Sequence, residues 1–432
     1  MNKINSYDVY FPPSQYWLNN SNTNIDEFIK KLNNLKIIDS LYIHFPFCPI
    51  KCHLCPYIKL DNKYIEECSK LIIKEIDNYS KIINNKVKLK SILFGGGTPN
   101  FAKLDYFKKL VKIICEKFDC IDIKQVAIEI RLGIEYKQYI DVLLEYFKAS
   151  KVHISIGLQS SQEDMIKYYR KAEGNTNGLF YTLEDAIDLI YYCKNKGINQ
   201  FNIDYMIKDI TNFNNEKKNI KYLVNKHKVN KITLYPLFTK FMERENKIGR
   251  ITWNEKEIIN LRKSIYKFLK SFKFKAAIWP NYFVKNSLVN YESLVQFKGS
   301  NLLAIGPSAR GNLIIDNSIY MYENSKDFSD YKKNITTQEI SANKIYNYPK
   351  ELNNQLSIEL RGIFINWRKG IKKSVFDFIL SSLNKPDKLK FEQIIKNNFI
   401  KKDDKYFFKD KSFYLMEVVF WDMWDILKKL FK

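Results

Sequence analysis

The sequence predicts an α/β fold, in which a partial (β/α)6 barrel is followed by a C-terminal winged-helix-like α+β domain. Short apolar runs rich in β-branched residues alternate with amphipathic helical patterns across the first half of the chain. Six such runs joined by helices indicate parallel βα units with right-handed crossovers. From about Asn353 the pattern changes to a helix, a hairpin and a long helix, which is typical of a winged-helix-like module.

The individual elements follow from these patterns. The predicted strands are Ser40–Phe45, Lys90–Phe94, Val126–Arg131, His153–Leu158, Phe201–Met206 and Ile232–Leu237. The predicted helices between and after them are Tyr64–Ile83, Leu104–Phe118, Glu135–Phe147, Leu183–Lys196, Glu216–Lys228 and Glu255–Phe272. Residues 312–350 are polar and give no clear pattern. The tail predicts a helix over Phe391–Asn397, a hairpin over Phe399–Lys409 and a final helix over Ser412–Leu430.

We expect three regions along the chain. Residues 1–250 form the barrel core, residues 251–350 connect it to the tail and complete the active-site cavity, and residues 351–432 form the C-terminal domain. The length of 432 residues fits two or three domains.

The cysteine content and the lack of long apolar runs indicate the cellular compartment in which the protein is expected. The first residues, Met1 to Pro12, are polar and show no apolar signal region. No apolar run approaches the length of a membrane span. The seven cysteines are an odd number, which favours reduced intracellular thiols over a disulfide framework. We therefore expect a cytoplasmic protein without a membrane span.

The net charge of +24 could reflect an anionic partner. Lysine, however, is spread over exposed helix faces along the whole chain, as at Lys108-Lys109 and Lys217-Lys218. Such uniform enrichment favours a compositional bias over a focused nucleic-acid surface. Nucleic acid is therefore not the expected partner, and an anionic small-molecule substrate explains the charge as well.

The most informative feature is a set of three cysteines, Cys48, Cys52 and Cys55, directly after the first strand. Their spacing, C-x3-C-x2-C, gathers three soft thiolates on one loop, which suits an iron–sulfur cluster or zinc. A 4Fe–4S cluster held by three cysteines leaves one iron open to another ligand. A zinc site with His53 is the alternative, but no second ligand pair such as C-x2-C follows. The pattern favours the cluster.

A glycine run, Gly95-Gly96-Gly97, follows the second strand and continues into Thr98-Pro99. Three glycines leave room where the backbone must approach a ligand closely. Because active sites in parallel sheets lie at the carboxyl ends of the strands, the cysteine loop and this run are expected at the same edge.

Together these motifs resemble the radical SAM enzymes of the oxygen-independent coproporphyrinogen III oxidase-like family. The resemblance covers most of the chain, in the family's order. The segments that carry it are Tyr42–Cys48 with the two further cysteines, Gly95–Pro99, Ile154–Ser160, Asn202–Asp204, Gly306–Ala309, Ile358–Arg361 and Gly370-Ile371.

The resemblance implies a 4Fe–4S cluster on Cys48, Cys52 and Cys55, which cleaves S-adenosylmethionine to a 5′-deoxyadenosyl radical. Glu129 is similar to the family's ribose-binding carboxylate, and the glycine run would offer backbone groups to the methionine amino group. The other implied cofactor contacts are Tyr42, Thr98, Gln159, Arg170, Asp204, Gly306, Pro307 and Ala309. A reducing electron donor such as flavodoxin or ferredoxin is also implied.

Departures from the family pattern narrow the range of candidate substrates. Pro56-Tyr57 follows Cys55 where the authentic oxidase has a further cysteine, which argues against the namesake decarboxylation. The haem-ligating histidine pattern of the chaperone branch is absent between Tyr291 and Gly306. At the position of an expected arginine stands Lys171, so Arg170 is taken as the contact.

We therefore expect a radical SAM enzyme, of oxidoreductase or methyltransferase class, acting on a large anionic small molecule, with tetrapyrroles as a candidate class. One alternative is a methyltransferase that binds a second S-adenosylmethionine. Others are a non-catalytic haem-binding or trafficking protein, and a tRNA-modifying enzyme suggested by the charge alone.

Overall fold

The structure is a computed structural model that describes residues 13–50, 55, 58–83, 86–169, 181–237, 253–277, 280–285, 300–337, 339–348, 359 and 370–431. Its strands are β1 Ile37–Ile38, β2 Ser40–Phe45, β3 Lys88–Leu89, β4 Ser91–Gly96, β5 Gln125–Ile130, β6 Val152–Gln159, β7 Gln200–Ile207, β8 Lys231–Pro236, β9 Lys275–Ala276, β10 Tyr282–Val284, β11 Leu302–Ile305, β12 Arg310–Ile315, β13 Ser318–Asn324, β14 Ala342–Asn347, β15 Ile371–Lys372, β16 Phe399–Lys402 and β17 Lys405–Phe408. Its helices are α1 Ser14–Asn19, α2 Ile25–Leu32, α3 Ile65–Ile83, α4 Leu104–Lys117, α5 Lys137–Tyr146, α6 Glu163–Tyr169, α7 Leu183–Asn195, α8 Ile210–Asn225, α9 Glu255–Lys270, α10 Phe328–Thr337, α11 Lys373–Ser382, α12 Lys385–Asn398, α13 Asp410–Phe413 and α14 Met416–Leu427.

The six predicted strands are present and lie side by side. Within the described residues, β2, β4, β5, β6, β7 and β8 are neighbours in chain order, and every pairing among them is parallel. The predicted bounds hold to within one or two residues. The α/β fold with six parallel strands joined by helices is therefore confirmed.

One helix begins earlier than predicted. The prediction started at Glu216, whereas α8 begins at Ile210 behind Asp209, whose carboxylate accepts a hydrogen bond from the Asn212 backbone N–H at 2.7 Å. An aspartate in this position is an N-cap. Asn212, Asn214 and Asn215 in the first two turns obscured the start, because asparagine favours loops over helix interiors.

Alternation along the strands separates two faces of the sheet. Ile154, Ile156 and Leu158 of β6 are almost fully buried, whereas Ser155, Gly157 and Gln159 between them are half-buried. Because successive strand residues point to opposite faces, the apolar face packs in the core and the other face carries polar groups. Parallel register extends this polar face across the strands, with Glu129 beside Ser155 and Ser155 beside Asn202.

The residues without a clear sequence pattern extend the same sheet. β11 pairs in parallel with β2, and β12, β13 and β14 continue outward as an antiparallel meander. Strand β13 is buried on both faces except at Ser318, so it lacks the alternation that would have revealed it. Its turn was readable, since Asp316 and Asn317 both have positive φ in a two-residue hairpin loop. The boundary at residue 250 stays a prediction, and the strands before and after it share one sheet.

The C-terminal region contains the helix, hairpin and helix of the prediction. Strands β16 and β17 pair around Asp403-Asp404, and β15 adds a third strand at the other side of β17. Helices α11 and α12 precede the hairpin, and α13 and α14 follow it. The aromatic stripe of α14 is buried, with Trp421 and Trp424 in the core.

A buried ion pair joins this region to α9. The Arg262 guanidinium meets the Glu417 carboxylate at 2.9 and 2.5 Å and also donates to the Tyr414 carbonyl oxygen at 2.7 Å. Both charged side chains are almost completely buried, at 3% and 4% exposure. The tail is therefore anchored to the preceding region by a paired charge.

Replacing Arg262 with alanine is expected to lower the free energy of unfolding by about 3 kcal/mol, because the Glu417 carboxylate stays buried without its cation. Lys411→Ala is the matched control, since the exposed Lys411–Glu255 pair links the same two regions and exposed pairs contribute little. Urea unfolding of both variants measures the difference. Similar stabilities of the two variants would contradict the prediction.

Candidate functional site

The end of β2 places a tyrosine and a histidine beside each other. The Tyr42 hydroxyl and His44 Nδ1 are 2.7 Å apart, and the two rings meet edge to face. Burial lowers the pKa of His44 to about 4, so the imidazole is neutral near pH 7. The histidine thus holds the orientation of the tyrosine hydroxyl.

The cysteine loop begins directly after this pair. The Cys48 Sγ lies 3.2 Å from the Thr98 Oγ1, so the first cysteine touches the residue that ends the glycine run. Cys55 is half-buried, and Cys52 lies outside the described residues. The role of the three cysteines as cluster ligands stays a prediction.

Each glycine of the run is required by a different neighbour. A Cβ on Gly95 would lie 2.9 Å from the Glu129 carboxylate, and a Cβ on Gly96 would lie 2.6 Å from the His44 ring. A Cβ on Gly97 would lie 2.5 Å from the Phe47 carbonyl oxygen. The glycines therefore allow Glu129, His44 and the start of the cysteine loop to meet at one place.

Two backbone N–H groups of this run are engaged within the protein. Gly96 N–H donates to Glu129 Oε2 at 3.0 Å, and Gly97 N–H donates to the Phe45 carbonyl oxygen at 2.6 Å. The groups of the run that can accept a hydrogen bond from an amino group are its carbonyl oxygens. The glycine run thus fixes one oxygen of the Glu129 carboxylate, and this carboxylate lies on the polar face of β5.

Asp204 belongs to a hydrogen-bond network that spans three strands. Asn202 Nδ2 donates to Asp204 Oδ1 at 2.9 Å, and Ser155 Oγ donates to Asp204 Oδ2 at 3.2 Å. Thr233 Oγ1 donates to Asn202 Oδ1 at 3.1 Å. Burial raises the pKa of Asp204, and the hydrogen bonds from Thr233, Asn202 and Ser155 oppose this rise. The carboxyl is therefore oriented and easier to protonate than an exposed aspartate.

Gln159 ends β6 in a left-handed conformation, with φ of 68°. The turn that follows is held by Glu216 of α8, which accepts hydrogen bonds from the Ser161 backbone N–H at 3.1 Å and from Gln162 Nε2 at 3.0 Å, and also from the hydroxyls of Ser160 and Ser161. Sequence reasoning missed Glu216. Its signal was a charged residue on the apolar face of a helix.

The turn after β11 contains Gly306, Pro307 and Ala309. Gly306 has φ of 103°, and its N–H donates to Glu75 Oε2 at 2.9 Å. Ala309 is buried, and its N–H donates to the Gly306 carbonyl oxygen at 3.2 Å. Glu75 was also missed, although it stands on the apolar face of α3 beside Ile72 and Ile76.

The predicted site residues thus fall into two groups. Tyr42, Cys48, the glycine run with Thr98, Glu129 and the Gly306 turn form one cluster at the carboxyl ends of β2, β4, β5 and β11. Gln159 and Asp204 lie one and two strands beyond Glu129, on the same face of the sheet. Arg170 lies outside the described residues.

Glu75 gives the stability of the protein a pH dependence. Burial raises the pKa of its carboxyl from 4.5 to about 7, although hydrogen bonds from Tyr331, Gly306, Ser341 and Asn324 act in the opposite direction. Because the pKa is higher in the folded state, the folded protein keeps a proton that the unfolded chain releases. This stabilisation is complete below pH 4.5 and is lost as the pH rises through 7.

We therefore expect the free energy of unfolding to fall by about 3 kcal/mol between about pH 4 and pH 8 on account of Glu75. The groups around it keep their protons over this range, because burial raises their pKa values: Cys68, Tyr79, Tyr322 and Tyr331. Urea unfolding at both pH values measures the slope. Glu75→Gln should lose this part of it, and an unchanged slope in that variant would contradict the assignment.

Within the described residues, no helix is both long enough and apolar enough to cross a membrane.

Comparisons with known proteins identify a domain within this chain. The sequence pattern of the Radical SAM superfamily matches residues 42–212. The heme chaperone HemW of Buchnera aphidicola subsp. Schizaphis graminum is 26% identical over 311 residues, covering 68% of this chain and 75% of the relative. The oxygen-independent coproporphyrinogen III oxidase of Synechocystis sp. is 28% identical over 107 residues, covering 24% of this chain and 23% of that protein.

Among solved structures, coproporphyrinogen III oxidase (HemN) from Escherichia coli superposes with a TM-score of 0.74 at 15% sequence identity and covers 96% of each chain. At this identity the likeness shows the fold. The superfamily implies S-adenosylmethionine and a 4Fe–4S cluster as cofactors. The chain therefore contains a radical SAM domain and is a radical SAM enzyme, and its sequence is similar to those of a heme chaperone and an oxygen-independent coproporphyrinogen III oxidase.

Proposed function

We propose that this enzyme uses its radical chemistry on a large anionic substrate of the tetrapyrrole class. The observation that carries the proposal is the cluster at the carboxyl ends of β2, β4 and β5, where Cys48 contacts Thr98 at the end of the glycine run and Glu129 contacts the run itself. The relatives support the substrate class, because their names refer to heme and to coproporphyrinogen. The net charge of +24 favours an anionic ligand.

The residues present fit the implied cofactors. Cys48 and Cys55 are half-buried thiols on one loop, and soft thiolates are the ligands that iron–sulfur clusters require. The glycine run carries no side chains, so that Glu129, His44 and the residues leading into the cysteine loop can all approach its backbone closely. When bound, the cluster and S-adenosylmethionine supply one-electron cleavage of a carbon–sulfur bond and the 5′-deoxyadenosyl radical.

The protein's own groups would then orient the cofactor. We assign the cluster to Cys48, Cys52 and Cys55, the ribose hydroxyls to Glu129, and the amino group to the carbonyl oxygens of the glycine run. Tyr42, Gln159, Arg170, Asp204 and the Gly306 turn would complete the surroundings. Asp204 is held in place by Asn202 and Ser155, so it can face a ligand without reorganising.

The sequence departures bear on the reaction. Pro56-Tyr57 stands in place of the oxidase's further cysteine, so we do not assign the namesake decarboxylation. Haem binding without turnover is a second candidate, favoured by the match to a heme chaperone. Against it stands the sequence itself, whose four histidines are His44, His53, His153 and His227, with none near residues 291–306.

The test begins with anaerobic reconstitution. We expect about four irons per chain and reductive release of 5′-deoxyadenosine from S-adenosylmethionine; stoichiometric zinc and no cleavage would overturn the proposal. The enzyme is then incubated with a deuterated tetracarboxylate porphyrinogen or deuterated haem, with a deuterated non-tetrapyrrole dicarboxylate as control. Deuterium in 5′-deoxyadenosine from a tetrapyrrole alone supports the substrate class.

Other outcomes separate the alternatives. S-adenosylhomocysteine formed together with 5′-deoxyadenosine would indicate methyl transfer with a second S-adenosylmethionine. Tight haem binding without deuterium transfer would favour trafficking over catalysis. Deuterium from the dicarboxylate and none from the tetrapyrroles would contradict the proposed substrate class.

A further inference from the structure

We propose that Glu75 is a positioning residue for the cofactor site, because its carboxylate fixes the Gly306 turn against the end of β2. Glu75 lies on α3, the helix that follows the cysteine loop, and Gly306 lies after β11. The inference rests on the proposed function, since it takes the Gly306 turn to be part of the S-adenosylmethionine site.

The carboxylate contacts three separate segments of the chain. Gly306 N–H donates to Oε2 at 2.9 Å, the Tyr331 hydroxyl donates to Oε2 at 2.7 Å, and Asn324 Nδ2 donates to Oε1 at 3.1 Å. Asn324 Nδ2 also donates to the Gly306 carbonyl oxygen at 3.0 Å. Glu75 and Asn324 together therefore hold both polar groups of the Gly306 backbone.

The turn so held lies directly against the end of β2, the strand that leads into the cysteine loop. A Cβ on Gly306 would lie 2.4 Å from the His44 carbonyl oxygen, which shows how closely the two backbones approach. His44 stands four residues before Cys48 and bonds to Tyr42. Glu75 therefore fixes the Gly306 turn beside the strand that leads into the cysteine loop.

The residue type at position 75 is explained by these hydrogen-bond donors and not by packing. Glu75 is fully buried, and its neighbours on the same face, Ile72 and Ile76, are apolar. A buried carboxylate is costly unless donors surround it. The three donors named above are neutral. With an apolar side chain at position 75, the Gly306 N–H would have no acceptor unless the turn moved.

Glu75→Gln tests the contact with little change of shape. The glutamine amide has one acceptor oxygen and one donor NH2. If the oxygen stays on the Gly306 N–H, the NH2 faces Asn324 Nδ2, which must turn away and release the Gly306 carbonyl oxygen; if the oxygen faces Asn324, the Gly306 N–H loses its acceptor. The Tyr331 hydroxyl can rotate to accept, whereas a backbone N–H cannot. Tyr331→Phe is the matched control, since it removes a hydrogen bond from the same carboxylate and leaves the Gly306 contact intact.

Two measurements follow from this design. Hydrogen–deuterium exchange of the protein without cofactors at about pH 8, where Glu75 with its pKa of about 7 is ionised, should show the Gly306 amide exchanging about tenfold faster in Glu75→Gln and unchanged in Tyr331→Phe. After reconstitution, the dissociation constant for S-adenosylmethionine should rise about tenfold in Glu75→Gln only. The change in the electron paramagnetic resonance spectrum of the reduced cluster on adding S-adenosylmethionine reports the same binding.

Wild-type exchange at Gly306, or wild-type affinity for S-adenosylmethionine, in Glu75→Gln would overturn the inference. Equal effects in Tyr331→Phe would also overturn it, since they would indicate a general loosening of the core. If Glu75→Gln does not fold, Asn324→Ala decides by the same two readouts. A wild-type protein that does not cleave S-adenosylmethionine refutes the proposed function, while the exchange result still judges the contact itself.

Discussion

Replacing Cys48 with alanine is expected to abolish cluster assembly and reductive cleavage of S-adenosylmethionine. A 4Fe–4S cluster that already leaves one iron without a protein ligand would be left with two cysteines. Cys48 also contacts Thr98 at 3.2 Å, so its loss removes a link between the cysteine loop and the glycine run. We expect the iron content after reconstitution to fall from about four per chain to a small fraction of one, with activity below detection.

Cys115→Ser is the matched control for this prediction. Cys115 is half-buried like Cys48, but it lies on α4, away from the cysteine loop. It should keep full iron content and wild-type formation of 5′-deoxyadenosine. Iron counts, visible absorbance and product analysis under anaerobic conditions measure both variants. A Cys48→Ala protein that retains a full cluster would remove this cysteine from the ligand set.

The parallel core of the fold could be predicted because its signals are local. Each strand is a short β-branched run, and each helix carries an apolar stripe, so periodicity alone locates them. Strand β13 could not be found in this way, since burial on both faces erases the alternation. Its partners β12 and β14 precede and follow it in an antiparallel meander, which an alternation of strands and helices does not predict.

The site could be predicted only where a short sequence motif indicates its chemistry. The cysteine spacing indicates an iron–sulfur cluster, and the glycine run indicates a close approach of the backbone to a ligand. The structure brings Cys48 and Thr98 of these two motifs into contact. The supporting carboxylates could not be paired from sequence, because Glu75 meets Gly306 across 231 positions and Glu216 meets Ser160 across 56. A charged residue on an apolar helix face shows that a partner exists without showing which one.

Replacing Gly306 with alanine is expected to destabilise the protein by about 4 kcal/mol, through two separate effects. The first is conformational, because a φ of 103° is unfavourable for any residue with a Cβ. The second is steric, since the new Cβ would lie 2.4 Å from the His44 carbonyl oxygen. That oxygen belongs to the backbone of β2, which is paired on both sides by β4 and β11 and cannot move away alone.

Gly197→Ala separates the two effects. Gly197 also has a positive φ, of 84°, but a Cβ there would meet only the Ala149 Cβ at 3.4 Å, an ordinary contact. The control should therefore lose about 1 kcal/mol, from the backbone conformation alone. Urea unfolding of both variants gives the difference, which we expect to be about 3 kcal/mol and to represent the clash with β2. Equal losses would show that β2 yields to the new side chain, and that the Gly306 turn is not held tightly against the start of the cysteine loop.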